Sequence, residues 1–428
     1  MKPVYKIKIS DSNNISERPT KNLADLEAIV NKVFNEVEKD GDLAIKKYTK
    51  TFDKVELASF TVSEKEILEA EKLISESLKS SIKLAKENIE KFHESQKIEK
   101  QIIVTQPGVE CWQESRGIEK VGIYIPGGTA PLLSTVLMLA VPAKIANCKE
   151  IILCSPPDVN GNINPAILYT ANLIGVNKIY KIGGIQAIAA LTFGTETVPK
   201  VYKIFGPGNQ FVTVAKQISQ NKGIAIDMPA GPSEVLLVAD KTSNPIFVAS
   251  DLLSQAEHGT DSQVVCIVDD KKLFIDIEKE INLQLDKLPR KEIALETLKN
   301  SKFVCITDKN KTIDIVNEYA PEHLILATKD NDFYIKNIVN AGSVFIGNYT
   351  PESAGDYASG TNHTLPTDGF AKAYSGVNLD SFIKKITFQK ISKQGLLNIG
   401  NAIEIMAEAE LLQAHKNAVT VRLQEINK

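Results

Sequence analysis

Residues 120–146 read KVGIYIPGGTAPLLSTVLMLAVPAKIA, and this stretch decides the fold class. It opens with a short apolar run at 121–125, passes through a loop rich in glycine and proline, and ends in an apolar helical segment at 133–146. A buried strand, a tight loop and a helix in this order are typical of a βαβ unit, because the helix returns the chain to the start of a parallel neighbouring strand. The stretch therefore predicts an α/β domain.

The same pattern recurs along the chain in two series. Apolar runs bounded by glycine or proline, with alanine-rich helical stretches such as 186–191 between them, predict further strands at 150–154, 178–182 and 201–205. A second series predicts strands at 234–238, 263–268, 303–307, 323–327 and 342–346. Because strands that alternate with helices pair in parallel, we predict two α/β domains in tandem.

A charged helical segment precedes the first series. From residue 23 to about residue 92, apolar residues recur at three- and four-residue steps, and the other positions are mostly charged. Ser63 and Glu66 form a plausible capping box at the start of a helix whose apolar stripe runs over 67–92. His93 is interpreted as a solvated cation at the C-terminal end of that helix, where the helix dipole favours positive charge.

The chain after about residue 379 is again charged. Its pattern predicts a helix over roughly 401–416, followed by an apolar tail at 419–423 that is able to add an edge strand. Neither a low-complexity segment nor a repeat of fixed period is visible in the sequence.

The composition excludes several classes of protein. A chain of 428 residues predicts two or three folding units, and 43% hydrophobic with 24% charged residues is far from the composition of disordered chains. The net charge of −3 supplies no broad positive field, so we predict no nucleic-acid partner.

The sequence also predicts a compartment. The N-terminal residues MKPVYKIKIS lack the apolar core of a secretory signal. The longest apolar stretch, 131–146, contains Pro142 and Lys144 and falls short of the ~20 apolar residues that span a bilayer. The five cysteines form no C-x-x-C pair, so we expect reduced, mostly buried thiols in a cytoplasmic protein that does not enter a membrane.

Two glycine-rich loops follow predicted strands, at 122–129 and 205–209. Glycines in that position allow backbone N–H groups to approach a phosphate or a ring at the carboxyl edge of a parallel sheet. The dinucleotide fingerprint G-x-G-x-x-G is absent, because Phe211 stands where its third glycine would be. From these residues alone, nucleotide binding and simple tight turns are equally good interpretations.

Histidine is scarce, and four of the five histidines have an acidic or amide neighbour: Gln255 with His258, Glu322 with His323, Asp356 with His363, and Glu410 with His415. Taken singly, each is more simply structural or solvated, as is Glu257 beside His258. Taken together, imidazole, carboxylate and amide groups suit Zn²⁺ or a similar divalent ion with a position left for substrate. The sequence does not establish that these loops converge.

Longer strings carry a more specific signal. In chain order they read GIYIPGGTAPLLSTVLMLAVPAKIA, GGIQAIAAL, FGPGN, IDMPAGPSEVL, SDLLSQAEHG, YAPEHL, PESAGDYASGTNHTLPT and EAELLQAHKNAVTVRL. Together they resemble the histidinol dehydrogenase family over nearly the whole chain from about residue 20. The resemblance implies the last two steps of histidine biosynthesis, in which L-histidinol is oxidised through L-histidinal to L-histidine with two NAD⁺ and one Zn²⁺ per site.

The resemblance also implies an architecture, namely two incomplete Rossmann-like parallel-sheet domains in a homodimer whose subunits exchange C-terminal helical tails. On this basis we predict an N-terminal helical extension at residues 1–110 and a first domain that binds NAD at 111–235. We predict a second domain with the zinc and catalytic residues at 236–378, and a tail that completes the partner's site at 379–428.

The matching motifs imply roles for individual residues. The resemblance implies zinc ligands at Gln255, His258, Asp356 and His415, the last from the other subunit. It implies a catalytic pair at Glu322 and His323, and contacts to NAD at Tyr124, Gln186 and Asn209. It implies substrate contacts at Ser233, His363 and Glu410, the last again across the dimer, together with His323 and the four zinc ligands.

These residues support a mechanism and leave rivals open. His323, whose unperturbed pKa is ~6.5, is expected to be neutral and to act as the base, while Glu322 activates water for the second oxidation. One rival is a zinc hydrolase in which Glu322 activates metal-bound water and the glycine loops are only turns. Others are a metal- or nucleotide-binding scaffold with a decayed site, and a family relative that acts on other amino alcohols.

Overall fold

The computed structural model describes residues 5–10, 15–18, 24–127, 131–229 and 231–428. Residues 23 and 128–130, which belong to the predicted helical extension and the first glycine-rich loop, lie outside these ranges. By its contacts the chain separates into a large unit, Met1–Gln96 with Ile118–Phe382, and a small unit, Lys97–Gly117 with Ile383–Lys428. The predicted boundaries at residues 110, 235 and 378 stay a prediction.

The strands and the helices of the described residues are each numbered in chain order. The strands are β1 (Ile102–Gln106), β2 (Val109–Gly117), β3 (Lys120–Tyr124), β4 (Glu150–Ser155), β5 (Lys178–Lys181), β6 (Lys203–Phe205), β7 (Ala225–Ile226), β8 (Glu234–Ala239), β9 (Gln263–Val268), β10 (Lys302–Cys305), β11 (His323–Ala327), β12 (Ser343–Ile346) and β13 (Ile383–Ile391). The helices are α1 (Ala24–Asp40), α2 (Asp42–Tyr48), α3 (Glu64–Ala70), α4 (Glu76–Glu94), α5 (Leu133–Ile145), α6 (Pro165–Ile174), α7 (Gly184–Phe193), α8 (Gln210–Asn221), α9 (Pro245–Ala256), α10 (Lys271–Leu285), α11 (Lys291–Lys299), α12 (Lys309–Tyr319), α13 (Asn331–Asn337), α14 (Glu352–Tyr357), α15 (Lys393–Ala409) and α16 (Gln413–Ile426).

Two five-stranded parallel sheets form the large unit. Their orders are β5-β4-β3-β6-β7 and β10-β9-β8-β11-β12, so both follow 3-2-1-4-5 when each sheet's strands are numbered along the chain. This is the Rossmann order without its sixth strand. The predicted fold of two incomplete Rossmann-like domains is confirmed, whereas exchange of the tail in a dimer stays a prediction.

Burial on both faces explains why the strands are uniformly apolar. In β8, Val235 and Leu237 point into one apolar cluster and Leu236 and Val238 into another, on the opposite side of the sheet. A strand covered by helices on both faces has no polar side, so it appears in the sequence as a continuous apolar run.

The N-terminal helices cover the first sheet. Val30, Phe34 and Val37 of α1 share an apolar cluster with residues of α7, including Ile188. Ile82 and Ile89 of α4 pack with Leu137 and Met138 of α5. The predicted capping box is confirmed, because the Ser63 side chain accepts the Glu66 N–H and the Glu66 carboxylate accepts the Ser63 N–H.

Two predictions for this segment are wrong. The apolar stripe of 67–92 is divided between α3 and α4, because Ser75 accepts the Leu78 N–H and caps a new helix. His93 is buried rather than solvated, and its Nδ1 lies 3.0 Å from Gln96 Oε1. Burial lowers the pKa of His93, so it does not act as the expected cation.

The small unit is an antiparallel sheet of order β1-β2-β13 with the helices α15 and α16. The predicted single helix at 401–416 is wrong in its bounds, because α15 ends at Ala409 and α16 begins at Gln413. The tail at 419–423 is helical, and Leu423 packs against Gly400 of α15. The edge strand is β13 instead, which pairs with β2 along its whole length.

Two other expectations can be compared with the described chain. Within the described ranges, none of the helices is long and apolar enough to cross a membrane. All five cysteines are free, and Cys148, Cys154 and Cys266 are buried. Burial of most of the thiols is confirmed, and their reduced state stays a prediction.

A buried ion pair anchors the second glycine-rich loop. Lys216 of α8 pairs with Asp227, and its Nζ donates to the Gly206 carbonyl oxygen at 2.9 Å. Asp227 Oδ2 accepts the Gly206 N–H at 2.8 Å. Gly206 has φ 129°, and a Cβ there would collide with the Tyr124 carbonyl oxygen. The ion pair therefore binds both the N–H and the carbonyl oxygen of Gly206, at a position where only glycine fits.

We expect Lys216→Met to destabilise the large unit by about 3–5 kcal/mol, because it leaves the Asp227 carboxylate buried without a counter-charge. Urea unfolding measures this as a lower midpoint. Lys299→Met is the matched control, since Lys299 and its partner Glu296 are about half exposed and such pairs contribute about 0–1 kcal/mol. Equal midpoints for the two variants would contradict the anchoring role.

Candidate active site

The predicted catalytic pair lies at the amino ends of β8 and β11. His323 is the first residue of β11 and pairs with Val235 on one side and Ser343 on the other. Its Nδ1 lies 3.2 Å from the Glu234 carbonyl oxygen, and Glu322 Oε2 accepts the Glu234 N–H at 2.9 Å. The first residue of β8, directly after Ser233, thus holds both members of the pair through its backbone.

The surroundings of the His323 ring favour one tautomer. Nδ1 faces the Glu234 carbonyl oxygen and lies 3.5 Å from Glu322 Oε2 and 3.8 Å from Glu352 Oε1, so a proton is best placed there. Nε2 is buried, has no hydrogen-bond partner among the described residues, and lies 3.8 Å from Asp356 Oδ1. With Nδ1 protonated, the lone pair of Nε2 points toward the Asp356 side of the site.

Three side chains near His323 could hold a metal ion. A nitrogen of His258 and carboxylate oxygens of Glu352 and Asp356 all lie within 4.8 Å of one another. His258 follows the C-terminal end of α9, and Glu352 and Asp356 are four residues apart on α14, which places both on one face of that helix. Nitrogen and oxygen donors in this number suit zinc with room for further ligands.

Gln255 of α9 adjoins this cluster and is fully buried. Its amide satisfies its neighbours when the nitrogen donates to Glu352 and the oxygen accepts the Glu234 N–H at 3.3 Å. Turned over, its oxygen would face the Glu352 carboxyl group, an arrangement that a cation between them or a proton on Glu352 stabilises. The donor set therefore fits a metal, and it includes three of the four predicted zinc ligands.

The buried carboxylates dominate the electrostatics. Burial alone would lower the pKa of His323, but Glu352, Glu322 and Asp356 outweigh it and raise that pKa to about 10. Burial raises the pKa of Glu352 to about 8. The three carboxylates therefore favour the protonated ring in the ion-free cluster, and the neutral His323 that the sequence predicts stays a prediction. A cation held by His258, Glu352 and Asp356 would take over that role and favour the neutral ring.

Glu234 is a further buried carboxylate, but it has its own partner. The Arg18 guanidinium donates to both of its oxygens, at 2.6 and 2.9 Å, and lies over the Tyr319 ring at 4.0 Å. This pairing neutralises the side chain whose backbone holds Glu322 and His323. Sequence reasoning missed Arg18 and Glu234, and also Glu352, although Glu352 lies one helical turn before Asp356.

His363 lies beside Asp356, as its loop suggested. Its Nδ1 is 2.9 Å from the Asp356 carbonyl oxygen, and its Nε2 is 3.0 Å from the Thr135 hydroxyl. Burial lowers the pKa of His363 and favours the neutral ring. Thr135 belongs to α5, so His363 connects the α14 segment to the helix that follows the first glycine-rich loop.

Glu410 and His415 belong to the small unit, where both are exposed. Glu410 is the C-cap of α15, and His415 lies in the first turn of α16. Their predicted roles, as groups that a second subunit supplies to the site, stay a prediction.

The predicted NAD contacts line one cavity of about 1130 Å³ at the carboxyl ends of β3, β4, β5 and β6. Tyr124 ends β3 and its hydroxyl accepts the Gly184 N–H at 3.0 Å, at the start of α7. Asn209 caps α8 by accepting the Val212 N–H, and Gln186 lies in the first turn of α7. The cavity adjoins the point where strand order reverses, between β3 and β6, which is where such sheets bind dinucleotides.

The cavity wall fits a dinucleotide in two further respects. The amino ends of α7 and α8 both border the cavity, and such helix ends favour a diphosphate. Gln186 Oε1 is buried without a hydrogen-bond partner among the described residues, so the wall contains an acceptor that a ligand can satisfy.

Comparison with known proteins identifies the family. The model of the histidinol dehydrogenase family matches residues 16–423. The chain is 61% identical to a histidinol dehydrogenase of Bacteroides thetaiotaomicron over 95% of each chain, and 58% identical to one of Bacteroides fragilis over 98% of each. The crystal structure of histidinol dehydrogenase from Elizabethkingia anophelis is similar with a TM-score of 0.96 and 59% identity, covering 97% of this chain and 96% of that one.

A more distant structure shows how widely the fold is shared. An acetylating aldehyde dehydrogenase from Geobacillus thermoglucosidasius has a TM-score of 0.51 at 12% identity, over 88% of this chain and 93% of that one, which is a likeness of fold alone. The resemblance predicted from the sequence strings is confirmed by the family match and by the relatives that cover nearly the whole chain. The chain belongs to the histidinol dehydrogenase family.

Proposed function

We propose that this protein oxidises L-histidinol through L-histidinal to L-histidine, transferring two hydrides to two NAD⁺ with one Zn²⁺ per site, as the last steps of histidine biosynthesis. Membership of the family supports the reaction. The observation that carries the proposal is the position of His323, whose unpartnered Nε2 lies beside the cluster of His258, Glu352 and Asp356.

Gln255, His258 and Asp356 would hold the zinc, with His415 supplied by a second copy of the chain. When bound, the ion positions the amine and imidazole nitrogens of the substrate and compensates the buried carboxylates. Ser233, His363 and Glu410 complete the proposed substrate contacts. Glu352, which adjoins Gln255 and His323, belongs to the same cluster.

His323 accepts the hydroxyl proton at Nε2 as hydride leaves the carbinol carbon in the first oxidation. The imidazolium that forms is stabilised through Nδ1 by the Glu234 carbonyl oxygen and the Glu322 carboxylate. In the second oxidation Glu322 takes a proton from the water that adds to the aldehyde, and a second hydride then leaves the hydrated carbon. Each oxidation therefore releases one hydride and one proton, which balances the change from alcohol to acid.

The assembly and compartment are part of the same proposal. A homodimer with shared sites would bring Glu410 and His415 of one subunit to the cluster of the other. The five free cysteines support a reducing compartment such as the cytoplasm. We propose small molecules as the only ligands of the site, with neither nucleic acid nor a membrane as partner.

Formation of NADH tests the activity and separates it from the zinc hydrolase. We expect purified protein to form two NADH per L-histidinol, measured by absorbance, because both oxidations occur in one site. A chelator should abolish the reaction and Zn²⁺ should restore it. Cleavage of substrate without NADH would favour the hydrolase, metal binding without turnover would favour a decayed scaffold, and faster turnover of another amino alcohol would favour a family relative.

We expect His323→Asn to lower the turnover number by about 10²–10⁴, because the variant lacks the general base. Zinc content should be unchanged, since His323 is not among the proposed ligands. His93→Asn, which changes a buried histidine in α4, is the matched control and should turn over normally. A normal turnover number in His323→Asn would reject the assignment.

We expect Asp356→Asn to weaken zinc binding by more than about tenfold, because changes even in the outer shell of a metal site cost about 10–100-fold. Competition with a chromophoric chelator measures the affinity. Glu257→Gln removes a carboxylate next to His258 that is outside the cluster, so its affinity should equal that of the wild type. Equal loss in both variants would show a general charge effect and contradict the site.

A further inference from the structure

The two ends of the buried Gln186 amide have different surroundings. Nε2 donates to Asp53 Oδ2 at 3.2 Å, while Oε1 is buried and has no partner among the described residues. An unsatisfied buried carbonyl typically costs a few RT or more, so proteins rarely retain one without a reason. Gln186 is among the residues that line the cavity of about 1130 Å³, so a ligand bound there is the candidate partner for this oxygen.

The backbone around Asp53 places its carboxylate next to the nitrogen end of the Gln186 amide. It ends the π-helical turn Thr49–Asp53 and is followed by Lys54, which has φ 61°. A Cβ at Gly183 would lie 3.1 Å from Asp53 Oδ1 and would collide with Pro156, so glycine at 183 leaves the space that the carboxylate occupies. Asp53 is itself part of the cavity lining.

The charge state of Asp53 makes its direction of hydrogen bonding unambiguous. Burial raises its pKa to about 6, and the hydrogen bond from Gln186 opposes that change. Near pH 8 the group is therefore ionised, and a carboxylate can only accept. The oxygen and the NH₂ group of a glutamine amide are similar in size, so shape alone does not orient the side chain. The Asp53 carboxylate does, because it binds the NH₂ group and leaves the oxygen on the other side.

We propose that Asp53 is a positioning residue of the cofactor site, which accepts the Gln186 N–H and so presents the Gln186 oxygen to an N–H or O–H donor of the dinucleotide. This inference rests on the proposed function, because it takes the cavity to be the site of NAD⁺. Without Asp53 the amide can turn over, and its nitrogen then faces the donor of the ligand. The donor of the ligand then faces the amide N–H, which is another donor, instead of an acceptor.

Three variants test this in the zinc-loaded, full-length protein. Asp53→Leu removes the acceptor at similar size and should weaken NAD⁺ binding about tenfold, as expected for one hydrogen bond. Gln186→Glu should weaken it similarly, because two carboxylates then face each other. In the double variant with Asp53→Asn and Gln186→Glu, the asparagine N–H donates to the glutamate, whose other oxygen faces the ligand, so binding should recover to within about threefold of wild type.

Titration calorimetry with NAD⁺, without histidinol, measures these affinities directly. Steady-state kinetics adds a second readout, in which Asp53→Leu should raise the KM for NAD⁺ far more than it lowers kcat. Asp286→Asn, at an exposed carboxylate after α10, is the control and should bind NAD⁺ as the wild type does.

Analogues distinguish the possible donors. One analogue, 3-acetylpyridine adenine dinucleotide, lacks the carboxamide N–H, and nicotinamide hypoxanthine dinucleotide lacks the adenine amino group. The analogue that lacks the donor should bind wild type and Asp53→Leu equally. If both analogues still distinguish the two proteins, the donor is a ribose hydroxyl.

The outcomes separate this inference from the proposed function. If the wild type binds NAD⁺ and Asp53→Leu binds it equally well, the positioning role is overturned and the proposed function stands. If the double variant fails to recover although its urea midpoint equals that of the wild type, the positioning role is also overturned. If the wild type does not bind NAD⁺, both are overturned.

Discussion

The accumulation of buried carboxylates around His323 is the constraint on which the rest of the site depends. Glu322, Glu352 and Asp356 surround one imidazole, and Glu234 lies directly behind it. Isolated buried charges are expensive, so such a group persists only with compensating positive charge. Arg18 compensates Glu234, whereas the other three have only His323, so the cluster favours a bound cation.

This constraint explains the electrostatics of the site and its dependence on metal. In the ion-free cluster the carboxylates raise the pKa of His323 to about 10, and Glu352 gains proton affinity through burial. A divalent ion held by His258, Glu352 and Asp356 would supply positive charge and favour the neutral His323 that the proposed reaction requires. On the proposed function, the same ion would contribute both to stability and to the protonation state of His323.

The two sheets have the same strand order, but their candidate sites lie at opposite ends of the strands. In the first sheet the cavity lies at the carboxyl ends of the strands, as is usual for Rossmann-like folds. In the second, the proposed catalytic pair lies at the amino ends of β8 and β11, where α9 returns the chain before β9. The turn of Pro321, Glu322 and His323 thus lies at the entrance of a strand rather than at its exit.

Local patterns determined how much of this could be predicted from the sequence. The strands were predictable because parallel strands buried on both faces are apolar runs between glycines and prolines. The apolar run at 419–423 was misassigned because a short run does not distinguish a strand from a buried helical face, and its packing against Gly400 is tertiary. Tertiary contacts also explain the residues that were missed. Glu352 contacts Gln255 and His323, Arg18 pairs with Glu234, and Asp53 binds Gln186, and in each pair the partners are distant in the chain.

An anomalous difference map recorded at the zinc absorption edge, from a crystal of the zinc-loaded protein, tests the central claim most directly. We expect one peak per chain, about 2.0–2.2 Å from a ring nitrogen of His258 and a carboxylate oxygen of Asp356. A peak at another place in the molecule, or no peak while these side chains keep their positions, would contradict the account.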